Sequence, residues 1–236
     1  MPRVNDKSFE TERQVSAVKI TSPLHDWFAA RRATMIDIAG RAFVSHVSDA
    51  EAERRAVADL ALADLTVRPK LGLKGPGAHA WLREQGAKPP EEIYDAVTTD
   101  TGGTLVRTGR VEYFAEAGLR DNSVDRLARA LGFGKPGVAR IDRQDATFLL
   151  TGARSLVVLE QTCGVNFRKA TPGRIVFTRV AGVSAGVLPQ HTAAEPRFTL
   201  WLDPSYAIDL WAALVSITTD EQGSIVGAAA LFDDVQ

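Results

Sequence analysis

The sequence predicts an α+β protein: two related β-α-β-β-α units with mostly antiparallel sheets, behind an N-terminal helical extension. Two internal echoes carry that prediction. Leu71–Gly86 (LGLKGPGAHAWLREQG) and Phe148–Gly164 (FLLTGARSLVVLEQTCG) each run from a short apolar strand through a glycine into a helix, and each stops at a second glycine. Arg110–Leu131 (RVEYFAEAGLRDNSVDRLARAL) parallels Arg197–Ile217 (RFTLWLDPSYAIDLWAALVSI), both passing from strand alternation to helical periodicity. The strand-like segments GGTLVRTGR and GRIVFTRVAGVSAGVL lie between the members of each pair. Each half therefore reads as a split βαβ arrangement.

Residues 1–20 are polar and mixed in charge, and read as a flexible arm without the apolar core of a signal peptide. Residues 21–135 then hold the extension and the first unit. Within SHVSDAEAERRAVADLALADL, Ser48 and Glu51 have capping-box spacing. Val57, Leu60 and Ala61 share a helical face, and the polar Asp64 at its next position closes the helix there. Gly75 turns the chain, and Pro76 opens a helix that buries Ala78, Trp81 and Leu82. GFGKPGVARIDRQ reads as the linker between units, leaving 136–236 for the second unit and tail. There Phe198, Leu200 and Leu202 alternate as a half-buried strand. Trp201 falls on the opposite face, where it needs a covering helix or a partner subunit. Asp203 caps the next helix, Pro204 takes its first position, and Ala207, Leu210, Trp211, Leu214 and Val215 form its apolar stripe.

Composition removes several function classes. The 236 residues are 45% hydrophobic, enough for a substantial core, and the formal net charge is −1. Dispersed lysines and arginines at that balance give no footprint for nucleic acid or an anionic membrane. No stretch approaches the roughly 18 apolar residues of a membrane span, and a cytoplasmic location is expected. The single Cys163 can form no internal disulfide; at a helix end it reads as a small apolar residue rather than an activated thiolate. No nucleotide is expected at KGPG. A phosphate loop needs its lysine after the glycines, whereas Lys74 precedes them and Pro76 removes a backbone donor. His25, His46, His79 and His191 form no metal-ligand spacing, and His79 is expected to face solvent. GVSAG around Ser184 has the letters of a nucleophile elbow, but VLPQHTAAEP after it does not begin a helix, so it reads as a strand.

In SPLHDWFAARRATM, in IAGRAF, in LALADLTVRPKLGLKGPGA and in GVSAGVLPQHTAAEPRFTLWLDPSYAIDLWAAL, the chain resembles the folate-binding aminomethyltransferase superfamily. That superfamily includes the glycine-cleavage T-protein and the gamma subunit of heterotetrameric sarcosine oxidase. The order of these weak motifs, over about residues 22–217, carries the resemblance. Two departures matter. The family's Gly-Gly-hydrophobic-hydrophobic-Asp-Asp stretch corresponds to GGTLVR, with Val106 and Arg107 in place of the two aspartates. Its pterin-contacting Gly-Tyr-Thr-Gly-Glu corresponds only loosely to QHTAAEP.

Shortness and the lost aspartate make the sarcosine oxidase gamma subunit family the better likeness. It implies an accessory, non-redox subunit of an N-methyl amino acid oxidase or dehydrogenase that couples oxidative demethylation to tetrahydrofolate. The partners would be a large folate- or flavin-bearing subunit and other chains of a hetero-oligomer, with no flavin or metal on this chain. The alternative is a self-contained tetrahydrofolate-dependent aminomethyl or methyl transferase, with His191 or Glu195 replacing the aspartate. Thr192 is the remaining candidate for pterin contact, and Arg168, Lys169 and Arg174 are candidates for a polyglutamate tail. A small-molecule-binding regulatory domain is a third possibility.

Overall fold

A computed structural model describes residues 19–191 and 196–232, so the predicted arm lies outside it apart from Lys19 and Ile20. Helix α1 (His25–Ala30) leads into a hairpin of β1 (Thr34–Ile38) and β2 (Arg41–His46). Ala39 and Gly40, with φ of 52° and 76°, make the two-residue turn that matches the right-handed strand twist. The extension is therefore part hairpin. Helix α2 (Ala50–Asp59) starts one residue later than the capping box implies: Asp49 accepts the Ala52 N–H at 2.8 Å. Ser48 instead donates its backbone N–H to Glu53, whose other carboxylate oxygen accepts from Gly227 at 2.9 Å.

The predicted continuation of that helix to Asp64 does not form. The chain turns extended at Leu60, and Ala61–Asp64 is strand β3. All four residues of β3 are buried. A short run buried on both faces has no alternation to separate it from a helical segment.

The first half continues as β4 (Lys70–Lys74), α3 (Ala78–Glu84), β5 (Ala96–Thr98), β6 (Thr104–Gly109), β7 (Glu112–Glu116), α4 (Ser123–Leu131), β8 (Gly134–Lys135) and β9 (Val138–Asp142). These strands form one sheet in the order β5-β6-β7-β4-β9-β8. The second half contributes β10 (Ala146–Thr151), α5 (Ser155–Thr162), β11 (Val176–Val180), β12 (Val183–His191), β13 (Pro196–Leu202), α6 (Ala207–Asp220), β14 (Ser224–Ile225) and α7 (Ala228–Leu231). Its sheet runs β11-β12-β13-β10-β3-β14. Every pairing is antiparallel except that of β14 with β3. The glycine-rich segment read as a linker is thus strand: β9 pairs with β4 from Leu71↔Asp142 to Lys74↔Ala139.

Helices α3 and α4 cover one face of the first sheet, burying Ala78, Trp81, Leu82, Val124, Leu127 and Leu131 against Leu71, Leu73, Leu105 and Tyr113. Helices α5 and α6 cover one face of the second, with Val158, Leu159, Leu210, Trp211 and Leu214 on Phe148, Leu150, Phe198 and Leu200. The other faces meet through Val106, Phe114, Leu188 and Trp201, while α2 and α7 cover the β3–β14 end of the second sheet on that side. Gly75 and Gly152 occupy equivalent strand-to-helix turns, at φ +138° and +103°. A Cβ at either would meet a backbone oxygen, Gly137 O at 2.2 Å or Asp59 O at 2.4 Å. Both turns therefore require glycine for steric reasons, with no ligand involved.

Candidate functional site

Strand β6 alternates across the first sheet. Leu105 joins the core under α3 and α4, while Val106 points the other way, into the seam between the sheets. Val106 is fully buried there with Phe114, Ile175, Leu188 and Trp201. The Phe114 and Trp201 rings meet edge to face, with centroids 5.3 Å apart. The cover over Trp201 is thus the other sheet, and neither a helix nor another subunit is needed. Arg107 lies on the opposite face, donating to the Glu91 and Arg110 carbonyls, its guanidinium 5.7 Å from the Tyr113 ring. His79, expected in solvent, places Nδ1 2.8 Å from the Tyr113 hydroxyl.

Beside the apolar seam lies a buried ionic knot. Glu116 ends β7 on the seam face and is 1% exposed. Its Oε1 accepts from the Thr147 hydroxyl at 2.6 Å and lies 3.1 Å from Lys70 Nζ, and its Oε2 lies 3.3 Å from Arg68 Nη1. Thr147 comes from β10, so this carboxylate joins the two sheets. Lys70 also donates to the Thr66 and Arg68 carbonyls, and Arg68 to those of Ala117 and Gly102. Burial pulls the Lys70 pKa down, against the raising effect of Glu116. These charges are spent on one another, which suits a clamp better than an acid–base catalyst.

Asp64 stands at the end of β3, where the chain leaves the second sheet for the first. Its Oδ1 accepts the Thr66 N–H at 2.9 Å, and Thr66 Oγ1 accepts the Thr147 N–H at 3.1 Å. Burial raises the Asp64 pKa above its ordinary 3.8. The folded state therefore holds this proton more tightly than the unfolded state. Asp64 costs stability at neutral pH, and the cost disappears as pH falls through its raised pKa towards 3.8. Asp64→Asn keeps the acceptor oxygen without the charge. It should be at least as stable as wild type at pH 7, with that advantage shrinking on acidification, in paired urea titrations across pH.

Where the structure describes them, the sequence-predicted candidates sit on separate elements. His191 ends β12 opposite Pro196, while Thr192 and Glu195 lie outside the described residues. Arg168 and Lys169 share an exposed 3₁₀ turn, and Arg168 pairs with Glu160, 2.5 Å from Nε to Oε1. Arg174 instead pairs with Asp95 at 2.7 Å, beside Tyr94 and Phe177 on a cavity of about 320 Å³. Two of the three polyglutamate candidates, Arg168 and Arg174, are thus paired with different carboxylates on different elements. Among the described residues no group of three His, Cys, Asp or Glu could hold a metal ion, and no helix is long and apolar enough to cross a membrane.

No family model matches the chain, and no curated protein does. Solved structures do. The glycine cleavage system aminomethyltransferase T from Bartonella henselae matches over 89% of this chain, at TM-score 0.67 and 18% identity. A chain of the heterotetrameric sarcosine oxidase from Corynebacterium sp. U-96 matches over 74%, at TM-score 0.57 and 19% identity. The fold is theirs. This chain spans 60% of the length of the aminomethyltransferase but 93% of the matched sarcosine oxidase chain.

With that fold fixed, the seam acquires a meaning. Val106 stands at the position where the resemblance puts an aspartate. Among the described residues the seam offers no free carboxylate beside it and no space for a pterin, since Phe114, Ile175, Leu188 and Trp201 are each at most 5% exposed. Tetrahydrofolate does not fit at Val106 as this chain is packed. Sequence reading missed the ionic knot, whose members are scattered from Asp64 to Thr147. The one available signal was the i, i+2 spacing of Arg68 and Lys70, which puts both cations on one side of an extended segment.

Proposed function

We propose that this chain is an accessory, gamma-type subunit of a multi-subunit oxidase or dehydrogenase of N-methyl amino acids, of the sarcosine oxidase kind. The carrying observation is Val106: an apolar residue, fully buried between two sheets, in place of the family's acid. A dry valine cannot orient a folate nitrogen or stabilise a developing cation. The near-complete coverage of a sarcosine oxidase chain lends support, against partial coverage of a self-contained transferase. In this reading the flavin and tetrahydrofolate sit on the partner chains. Bound there, they would supply the two-electron oxidation and the one-carbon acceptor, and this chain would contribute packing against those partners.

Co-expression with the genes flanking its own tests the proposal. Co-elution with a flavoprotein at fixed stoichiometry is expected, and recovery only as a free monomer beside the flavoprotein would sink it. Titration of the isolated chain with tetrahydrofolate separates the alternative. Absence of saturable binding fits a subunit, and tight binding would favour a self-contained transferase.

A further inference from the structure

Strand β11 is an open edge of the second sheet. The other edges of the two large sheets are closed or very short. Residues 173–175 lie along β5: the Gly173 carbonyl accepts from Ala96 at 2.7 Å, and the Ile175 N–H donates to the Tyr94 carbonyl at 2.8 Å. Strands β8 and β14 are two residues long. β11 runs for five residues without proline or bulge, two of the devices that blunt such an edge.

The hairpin of β11 and β12 determines which backbone groups are free. Ala181 and Gly182, at φ 47° and 83°, make a two-residue turn, so Val180↔Val183 is a hydrogen-bonded pair and Thr178↔Ala185 is the next. Phe177 and Arg179 occupy the alternate positions and point their N–H and C=O groups away from β12. Among the described residues no other backbone bond reaches either. Their side chains share the seam face, since Phe177 lies in register with Gly186 and through it with Trp201. Phe177 is 57% exposed, its ring edge-on to that of Tyr94 at 5.9 Å. It borders cavities of about 320 and 450 Å³, so the edge is uncovered there. Arg179 is exposed and has no ion pair with any described residue.

We propose that β11 pairs with β11 of a second copy of this chain, antiparallel about a two-fold axis at Thr178. In that register Phe177 of each copy exchanges both outward hydrogen bonds with Arg179 of the other, and each guanidinium gains an aromatic ring. The neighbouring registers are rejected by the same residues. A slip of two residues one way sets Arg179 directly against Arg179 of the other copy, like charge on like. A slip of two the other way sets Arg179 against Ile175, whose N–H is already given to Tyr94. A slip of one brings inward-pointing groups to the edge. In the favoured register the two arginines lie diagonally, about 7–8 Å apart. A ladder this short buries less than the roughly 1,200 Å² of a stable interface, so the dimer is weak and concentration-dependent. The inference is independent of the assembly proposed above, because it concerns the isolated chain alone.

Sedimentation equilibrium of the full-length protein from about 1 to 300 μM tests it, with a monomer–dimer equilibrium expected in that range. Phe177→Glu places a carboxylate opposite Arg179, so its dimer should stay within about threefold of wild-type affinity and become sensitive to salt. Phe177→Lys places like charges opposite each other and should weaken the dimer about tenfold or more. An unspecific apolar contact through Phe177 would instead be weakened equally by both. Arg179→Pro removes an outward donor while sparing the ladder to β12, so it should be monomeric at a melting temperature near that of wild type; if it does not fold, the two Phe177 variants decide. The inference is overturned if the wild-type chain stays monomeric throughout, if the glutamate and lysine variants are weakened alike, or if folded Arg179→Pro dimerises as wild type does.

Discussion

Glu116→Ala is expected to destabilise the protein by about 3–5 kcal/mol, the usual cost of removing one partner from a buried ion pair. For a chain of this length that lowers the melting temperature by about 10 °C. The size of the effect follows from what is left behind. Arg68 and Lys70 would face each other without the carboxylate that neutralises them, and Thr147 would lose its acceptor. Lys70→Met tests the same knot from the other side. Burial already disfavours the Lys70 charge, and its loss leaves Glu116 matched with Arg68 alone. It should cost less than half as much. Thermal and urea unfolding followed by circular dichroism gives the ranking; a lysine variant as damaging as the glutamate variant would contradict the clamp.

Val106→Asp should lose more than about 3 kcal/mol, because it puts a carboxylate into an apolar seam with no partner for it. The substitution recreates the letters of the aminomethyltransferase motif without recreating a site. Phe114, Leu188 and Trp201 would still fill the space around it. No folate affinity should therefore accompany the loss of stability. A variant that keeps the wild-type melting temperature would mean that the seam admits water, and tetrahydrofolate binding to this chain would then need reconsidering.

The sequence made the helix-facing layers legible and left the seam obscure, for a physical reason. Trp81, Leu82, Trp211 and Leu214 recur at helical spacing against alternating strands, so their burial is a local pattern. The partner of Trp201 is Phe114, far away in sequence and in a different sheet. Its outward phase in β13 was readable, but what covered it was not. The ionic knot fails in the same way: Glu116, Lys70 and Thr147 meet only once two sheets are stacked in register. β3 was lost to its brevity, and β9 because glycine and charge around it outweighed a strand that is mostly exposed. The recurrence of Gly75 at Gly152 survived because close backbone approach leaves a mark in residue type.

The place of β3 in the second sheet has a consequence for synthesis. Its neighbours are β10 and β14, so a strand made early pairs only with segments made late. Asp64 waits about 80 residues for Phe148, which at about 5–20 residues per second is roughly 4–16 s of translation. The first sheet, complete at Asp142, can assemble in the meantime from its own contiguous residues. Until β10 emerges, the apolar stretch Leu60–Ala63 has neither of its ladder partners. The emerging chain is then most exposed to aggregation at β3, and the danger ends when Ser224 and Ile225 draw alongside Ala61 and Leu62.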